Sequence, residues 1–453
     1  MEQIRDSQFF GNSFGTNESR AIFSDLARFQ RWLDVEVALA NSQAVLNIIP
    51  KSAATEIEQS ARLENFDLEY LKRELALSGH SLIPLLKAFQ AVCEPEASKY
   101  IHYGATTQDI QDTAQSIEIL SASNLIEREL TEICLILQQL AENNKSIVMV
   151  GRTHAQAALP TTLGLKFATW LDETARNLVR LQTNRDTVCV AQLFGGVGTM
   201  SAFEGKGMQL LEVFSDQLEL QAPSTAWHTS RDRVVEFIST MGLISGGLAH
   251  IANEILQLAK TEIGELQEPY KETAIGSSTM PHKVNPEASE QVITLAHLVK
   301  SNASLAFDSL VNEHERDYRT LRLEWVTLPD SVIYTTAALK LMKSILPGLR
   351  IKYERIAENV SREAQSICSE ALMFALSDEL GKSVAFDVVR EAYAQEKMSN
   401  EELVDHIMAS PHARDKALDK GALLASLNPD NYIGEAEKIV DSVLENTASI
   451  NNR

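Results

Sequence analysis

The chain has 453 residues, a formal net charge of −21 at pH 7 and four cysteines. This acidity argues against a nucleic-acid partner, because nonspecific binding needs lysine and arginine to neutralise phosphates. The cysteines are far apart and form no C-x-x-C pair, which argues against a thiolate metal site and a secreted disulfide framework.

The first residues contain no cationic segment followed by an apolar run, so we predict no signal peptide. We also find no stretch of about 18 uncharged apolar residues, so we predict no membrane-spanning segment. We therefore expect a soluble, cytoplasmic protein.

Apolar residues recur at helical spacing over long stretches, as they do in bundle helices. Such stretches cover residues 117–140, 163–181, 292–310 and, less regularly, 332–345. Sustained alternation with a period of two is absent, so the sheet content should be low. The pattern predicts an all-α protein.

Three helical domains follow from the breaks in this pattern. We predict an N-terminal domain over 1–110, a central bundle of long helices over 111–355 and a C-terminal domain over 356–453. A polar segment over 270–286 has the composition of a catalytic lid loop. Helices longer than about 20 residues with wide apolar faces need partners, which favours a bundle shared between subunits. The alternative is a monomeric helical protein.

Residues 276–286 form the most informative segment, G-S-S-T-M-P-H-K-V-N-P. Ser277 and Ser278 supply hydroxyl groups, while Lys283 and Asn285 supply a cation and an amide two residues apart. Judged by residue types alone, a polar loop that only connects two helices is an equally good interpretation.

The string matches every fixed position of G-S-S-x-M-P-x-K-x-N-P and resembles the signature of the fumarase/aspartase superfamily. Residues 102–109 (H-Y-G-A-T-T-Q-D) resemble the first motif of adenylosuccinate lyases, and residues 151–156 (G-R-T-H-A-Q) resemble the second. The resemblance covers nearly the whole chain. It implies a homotetramer with a 20-helix core of long helices, whose active sites are each built from segments of three subunits.

The resemblance also implies an anti β-elimination with roles for particular residues. Ser277 would be the general base, and Lys283 and Asn285 would hold the substrate carboxylate that gains charge. His154 would be the general acid or would orient it. His80 aligns loosely with a second catalytic histidine, so the choice between the two histidines stays open.

Thr106 directly precedes a helical run, and the spacing to Asp109 is that of a capping box. A helix cap is therefore one interpretation, and the exposed N–H groups of a helix start can also bind a carboxylate. The other predicted substrate-binding residues are Thr107, Met280, Ser278, Gln156, His102, Arg231 and Arg322.

Two branches of the superfamily compete for this chain. Segments such as Trp227-His228-Thr229 resemble the 3-carboxy-cis,cis-muconate cycloisomerases, but those enzymes usually carry tryptophan at the position of His154. The phosphate-binding Ser-Ser-x-x-Arg element of adenylosuccinate lyases is replaced by residues 320–325 (T-L-R-L-E-W).

We therefore predict a lyase that releases fumarate from a non-nucleotide N- or O-substituted succinate. The alternatives are a cycloisomerase and a helical scaffold without activity. The substrate would be a small di- or tricarboxylate, and the chemistry implies no cofactor and no metal.

Overall fold

The computed structural model describes residues 4–270, 279–280, 282–395 and 398–452, and in these residues the chain is predominantly helical. The predicted all-α class is confirmed. The helices are α1 (Asn17–Ile22), α2 (Asp25–Val45), α3 (Lys51–Ser60), α4 (Leu68–Ser78), α5 (Ile83–Val92), α6 (Pro95–Ser98), α7 (Thr107–Asn143), α8 (Leu163–Val188), α9 (Gly207–Gln217), α10 (Asp232–Leu258), α11 (Glu287–Ala306), α12 (Tyr318–Ile345), α13 (Tyr353–Ile367), α14 (Ser369–Leu380), α15 (Lys382–Tyr393), α16 (Asn400–Ala409), α17 (Lys420–Ser426) and α18 (Ala436–Thr447).

In addition to α2, five helices have 20 residues or more, and α7 is the longest with 37 residues. Three of the four stretches with helical spacing fall within α7, α8 and α12. The stretch over 292–310 begins in α11 but extends past its end at Ala306 into a 3-10 turn, Phe307–Leu310. The pattern did not single out α10. This helix is apolar and long enough to pass for a membrane span, but 61% of its apolar window is buried inside the protein. Burial of this kind is typical of a core helix.

Sheet content is low, as predicted. Strands β1 (Val148–Thr153) and β2 (Gln156–Thr162) form an antiparallel hairpin, and β3 (Leu266–Gln267) pairs with β4 (Arg350–Ile351). The sequence did not predict the hairpin because β1 buries Met149 and Val150 in succession, which breaks the alternation expected of a strand.

Local signals fix where the helices near the site begin and end. Ser24 caps α2 by accepting from the backbone N–H of Ala27, and Asp67 caps α4 by accepting from two N–H groups. Gly79 ends α4 with φ +62°, in the left-handed region that glycine adopts without strain. This turn directs the chain into His80.

The described chain forms two compact units. The first comprises Met1–Leu130, Arg176–His250 and Gln291–Met342, and the second comprises Thr131–Ala175, Ile251–Glu290 and Lys343–Arg453. In the first unit, α2 packs against α3 and α9 and buries Trp32, Leu33 and Leu39. In the second unit, α14 packs against α15 and α17 around Leu372, Leu376 and Val388. The three-domain division stays a prediction.

Candidate active site

The start of α7 carries the first motif. The backbone N–H of Thr106 donates to the carboxylate of Asp109 at 3.0 Å, which is one half of the predicted capping box. The other half is not formed, since the N–H of Asp109 donates to the carbonyl oxygen of Thr106. The Thr106 hydroxyl instead accepts from Nη1 of Arg316 at 3.2 Å. The helix start therefore lies directly beside a guanidinium group.

The carboxylate of Asp109 holds this helix start in place. It is fully buried and accepts hydrogen bonds from Thr106, from the N–H groups of Phe194 and Gly195 at 3.0 and 2.9 Å, and from Nε2 of His228 at 2.9 Å. A buried carboxylate needs such donors to offset the loss of water. Asp109 and His228 are thus positioning residues for Thr106.

Gly104 must be glycine for two reasons. Its φ is +81°, and a Cβ atom there would lie 2.4 Å from the ring of Phe203. A side chain at this position would therefore be strained and would also push the first motif away from the core.

Arg231 contacts Asp112, near the start of α7, and is fully buried. Its guanidinium donates to both oxygens of Asp112, at 2.8 and 3.1 Å, and to Glu324 at 2.8 Å, and it lies 4.9 Å from the Trp227 ring centre. Burial lowers the pKa of Arg231, but the charges of Asp112 and Glu324 outweigh this effect and the pKa is raised. All three guanidinium nitrogens have protein acceptors, which favours a positioning role over the predicted contact with substrate.

Arg316 is the main residue of the site that the sequence did not predict. Its Nε donates to Gln108 at 3.1 Å and its Nη1 to Thr106, but no carboxylate of the described residues pairs with it. Together with His80, Thr106 and Thr107 it lines a cavity of about 360 Å³, which we call the helix-start cavity. An exposed guanidinium beside a helix N-terminus attracts anions.

His80 enters the same cavity with a defined ring orientation. Its Nδ1 accepts from the backbone N–H groups of Leu82 and Ile83 at 3.2 and 3.1 Å. The neutral ring therefore carries its proton on Nε2. A neutral histidine held in this way can donate a hydrogen bond from Nε2–H.

His102 is paired with a buried carboxylate. Its Nδ1 lies 2.6 Å from Oε1 of Glu36, and its backbone N–H donates to Oε2 at 3.0 Å. Burial on its own lowers the pKa of His102, but the hydrogen bond and charge of Glu36, with a smaller contribution from Asp109, outweigh burial and raise the pKa.

Replacing Glu36 with glutamine is expected to lower the pKa of His102 and to destabilise the fold in a pH-dependent way. A histidine with a raised pKa stabilises the fold fully below its ordinary pKa of about 6.5, and that contribution is lost as pH rises through the folded-state pKa. The loss should reach about 1.5–3 kcal/mol at low pH and shrink at high pH. Urea unfolding at several pH values measures it. Glu96→Gln, at an exposed glutamate, is the control, and a difference that grows with pH would contradict the pairing.

Three predicted residues of the signature lie in the second unit. Met280, Lys283 and Asn285 line a cavity of about 740 Å³ together with Glu290. The carboxylate of Glu268 accepts from the N–H groups of Ala288 and Ser289, at 3.2 and 2.6 Å, and so anchors the start of α11 beside them. Ser277 and Ser278 lie outside the described residues, as does most of the predicted lid.

Glu290 was not among the predicted site residues. It lies in the first turn of α11, where an acidic residue complements the helix dipole and so has an ordinary structural explanation. It also lines the same cavity as Lys283, and this is the observation that favours a role in the site.

The second motif forms the tip of the β1–β2 hairpin. His154 and Ala155 both have positive φ, 50° and 63°, at a turn where asparagine and glycine are usual. Such backbone strain is often found at functional sites. The side chains of His154 and Gln156 are exposed. One residue pair behind the tip, Arg152 donates to both oxygens of the buried Glu265 at 2.7 and 3.0 Å.

The structure thus distributes most of the predicted residues over two cavities and a hairpin tip. His80, Thr106 and Thr107 share the helix-start cavity, Lys283 and Asn285 share the cavity of the second unit, and the hairpin tip carries the second motif. Arg322 lines a further cavity in the first unit. Within the described ranges, no group of three His, Cys, Asp or Glu side chains is placed to hold a metal ion.

Comparison with known proteins reveals close relatives over the whole chain. Residues 13–300 match the protein family described as lyase. The chain is 38% identical to the N-acetyl-S-(2-succino)cysteine lyase of Dickeya dadantii, covering 97% of this chain and 96% of that protein. It is 36% identical to the adenylosuccinate lyase of Pyrococcus horikoshii, covering 97% and 98%.

A solved structure agrees with the sequence relatives. The 3-carboxy-cis,cis-muconate lactonizing enzyme from Pseudomonas putida superposes with a TM-score of 0.87 at 34% identity, covering 98% of this chain and 100% of that one. The family match and the full-length relatives confirm the resemblance found in the three motifs. The chain belongs to the fumarase/aspartase superfamily and is a lyase of that superfamily.

Proposed function

We propose that the protein releases fumarate from a small substituted succinate by anti β-elimination, and that the bond it breaks is a carbon–sulfur bond. The 38% identity to a lyase named for N-acetyl-S-(2-succino)cysteine supports a thioether substrate. The missing phosphate-binding element supports a substrate without a nucleotide. The sequence alone suggested nitrogen or oxygen as the leaving atom, and the comparison adds sulfur as the atom that we propose.

The observation that carries this proposal is the helix-start cavity. Thr106, Thr107 and Arg316 line it together, and Arg316 has no carboxylate partner among the described residues. N–H groups at a helix start and an unpaired guanidinium bind carboxylates well. A 2-succino group brings two carboxylates, and one of them fits this place.

Proton abstraction is the difficult step of the proposed reaction. Ser277 would take a proton from the carbon next to one carboxylate, and the electron pair would spread into that carboxylate. Lys283 and Asn285, which line one cavity, would stabilise the added negative charge. The pair then forms the double bond of fumarate as the carbon–sulfur bond breaks.

The leaving sulfur departs as a thiolate and is protonated afterwards or during the step. A thiol has an ordinary pKa of about 8.5, so it needs less help from an acid than an amine does. His80 and His154 remain the candidates. The neutral ring of His80 and its place in the same cavity as Thr106 support it as a hydrogen-bond donor from Nε2–H to the leaving thiolate, which then takes its proton from water.

We also propose a cytoplasmic homotetramer whose active sites are shared between three subunits. The exposed hairpin tip with His154 and Gln156 supports this arrangement, because these motif residues are free to reach a neighbouring copy. Light scattering should give the mass of four chains, and the mass of one chain would contradict the proposal.

Cycloisomerisation of a carboxymuconate is the second candidate. The superposition on the Pseudomonas putida enzyme favours it. In that reaction an internal carboxylate adds across a double bond, and no fumarate appears. His154, at a position where such enzymes usually carry tryptophan, argues for elimination instead.

A substrate panel separates these functions. The protein is incubated with N-acetyl-S-(2-succino)cysteine, adenylosuccinate and 3-carboxymuconate, and ultraviolet absorbance follows fumarate and muconate. We expect fumarate to form from the thioether together with an equal amount of free thiol. Loss of muconate absorbance without fumarate would favour the cycloisomerase, and no fumarate from either succinate would overturn the proposal.

A further inference from the structure

A second cavity adjoins the helix-start cavity in the first unit. It has a volume of about 430 Å³, and Arg28, Trp32, Arg322 and Trp325 contribute to its walls. We call it the aromatic cavity. Both cavities are also lined by residues 79–81, and α12 lines both with successive residues. The two cavities therefore form one groove that passes His80.

Arg322 is an exposed residue of this groove that lies against two aromatic rings. Its guanidinium carbon lies 4.7 Å from the ring centre of Tyr318 and 4.4 Å from that of Trp325. Its Nε and Nη2 donate to the Tyr318 hydroxyl. Nη1 has no acceptor among the described residues, and no described carboxylate pairs with Arg322. A guanidinium that lies against two rings and has one amino group without a protein acceptor can bind an anion.

The other charged side chains near this cavity are either ion-paired or few in number. Arg28 also faces Trp325, but its guanidinium donates to the buried Glu118 at 3.1 Å. Asp25 is the acidic residue that lines the cavity. On the same helix, Arg319 pairs with Asp317 and Glu313. Of the two arginines that line this cavity, Arg322 is therefore the one without a carboxylate partner among the described residues.

We propose that the aromatic cavity binds the leaving group of the substrate and that Arg322 pairs with a carboxylate on that leaving group. This inference rests on the proposed function. With the 2-succino group at Thr106 and Arg316, the leaving group extends past His80 towards Trp325. Its acyl and methylene parts pack on the aromatic rings, and its carboxylate meets Nη1 of Arg322. The substrate class is then an N-acylated amino-acid thiol whose sulfur carries a 2-succino group as a thioether.

A pair of substrates that differ in one carboxylate tests the assignment. N-acetyl-S-(2-succino)cysteine carries the carboxylate, and N-acetyl-S-(2-succino)cysteamine lacks it. The wild-type protein should prefer the first substrate by about tenfold to a hundredfold in kcat/KM, as expected for a charge-assisted pair. Arg322→Met should bring the ratio of the two kcat/KM values close to one. The change should appear in KM, because the contact is equal in the ground state and the transition state.

Two further variants sharpen the test. Arg322→Lys keeps the charge but loses the planar group between the rings, so it should retain part of the preference. Arg319→Met removes an arginine from the same helix that is already ion-paired, and it should keep the wild-type ratio.

The outcomes separate this inference from the proposed function. Equal kcat/KM values for both substrates in the wild type, or an unchanged ratio in Arg322→Met, would overturn the assignment while fumarate release still stands. Absence of fumarate from both substrates would overturn the proposed function and the inference together.

Discussion

Replacing Ser277 with alanine is expected to lower kcat by about a hundredfold to ten-thousandfold, the range that a general base contributes. Without the alkoxide, no other group assigned to the site takes the proton from carbon. Because the interaction exists only in the transition state, KM should change little. Steady-state fumarate release at saturating substrate measures the effect.

Thr279→Ala is the matched control for this variant. Thr279 occupies the variable position of the G-S-S-x-M-P string, so losing its hydroxyl should spare turnover. Both variants should have the same mass in solution as the wild type. If Ser277→Ala kept more than about a tenth of the rate, a barrier difference below roughly 1.4 kcal/mol, Ser277 would not be the base.

Replacing Arg231 with methionine is expected to cost about 3–5 kcal/mol of folding stability. The change leaves Asp112 and Glu324 fully buried without the cation that lies between them. Both carboxylates also take hydrogen bonds from glutamine side chains, but these cannot replace a full charge. Urea unfolding followed by circular dichroism measures the loss.

A triple variant tests the cause of this effect. Adding Asp112→Asn and Glu324→Gln to Arg231→Met removes both uncompensated charges and should recover part of the stability. An Arg231→Met protein with the unfolding midpoint of the wild type would show that the buried pairs do not hold the fold.

The helical architecture could be predicted because apolar periodicity is a local property. Each stretch of apolar residues with helical spacing became part of a long helix, from α7 to α12. The β1–β2 hairpin was missed because Met149 and Val150 are both buried, so one strand lost its alternation. The strand instead gains its stability from packing within the second unit, which no local pattern records.

Only those site residues that lie in recognisable sequence motifs could be predicted. Thr106 and His80 were proposed from short strings, and both line the helix-start cavity. Arg316 was missed because three arginines occur within seven residues and look alike in sequence. Folding pairs Arg319 with Asp317 and leaves Arg316 and Arg322 without a carboxylate partner in the described structure. The Arg319–Asp317 pair is local, but the hydrogen bonds that place Arg316 in the site join it to Gln108 and Thr106, 208 and 210 positions away in the chain.

The most direct test of the proposed elimination runs it backwards in D₂O, with fumarate and N-acetylcysteine as the reactants and NMR of the product. If Ser277 moves a proton to and from carbon during an anti elimination, the product should carry a single deuterium at one of the two stereochemical positions on the CH2 carbon of its 2-succino group. Deuterium spread over both positions, or a product identical to that formed without enzyme, would contradict the account.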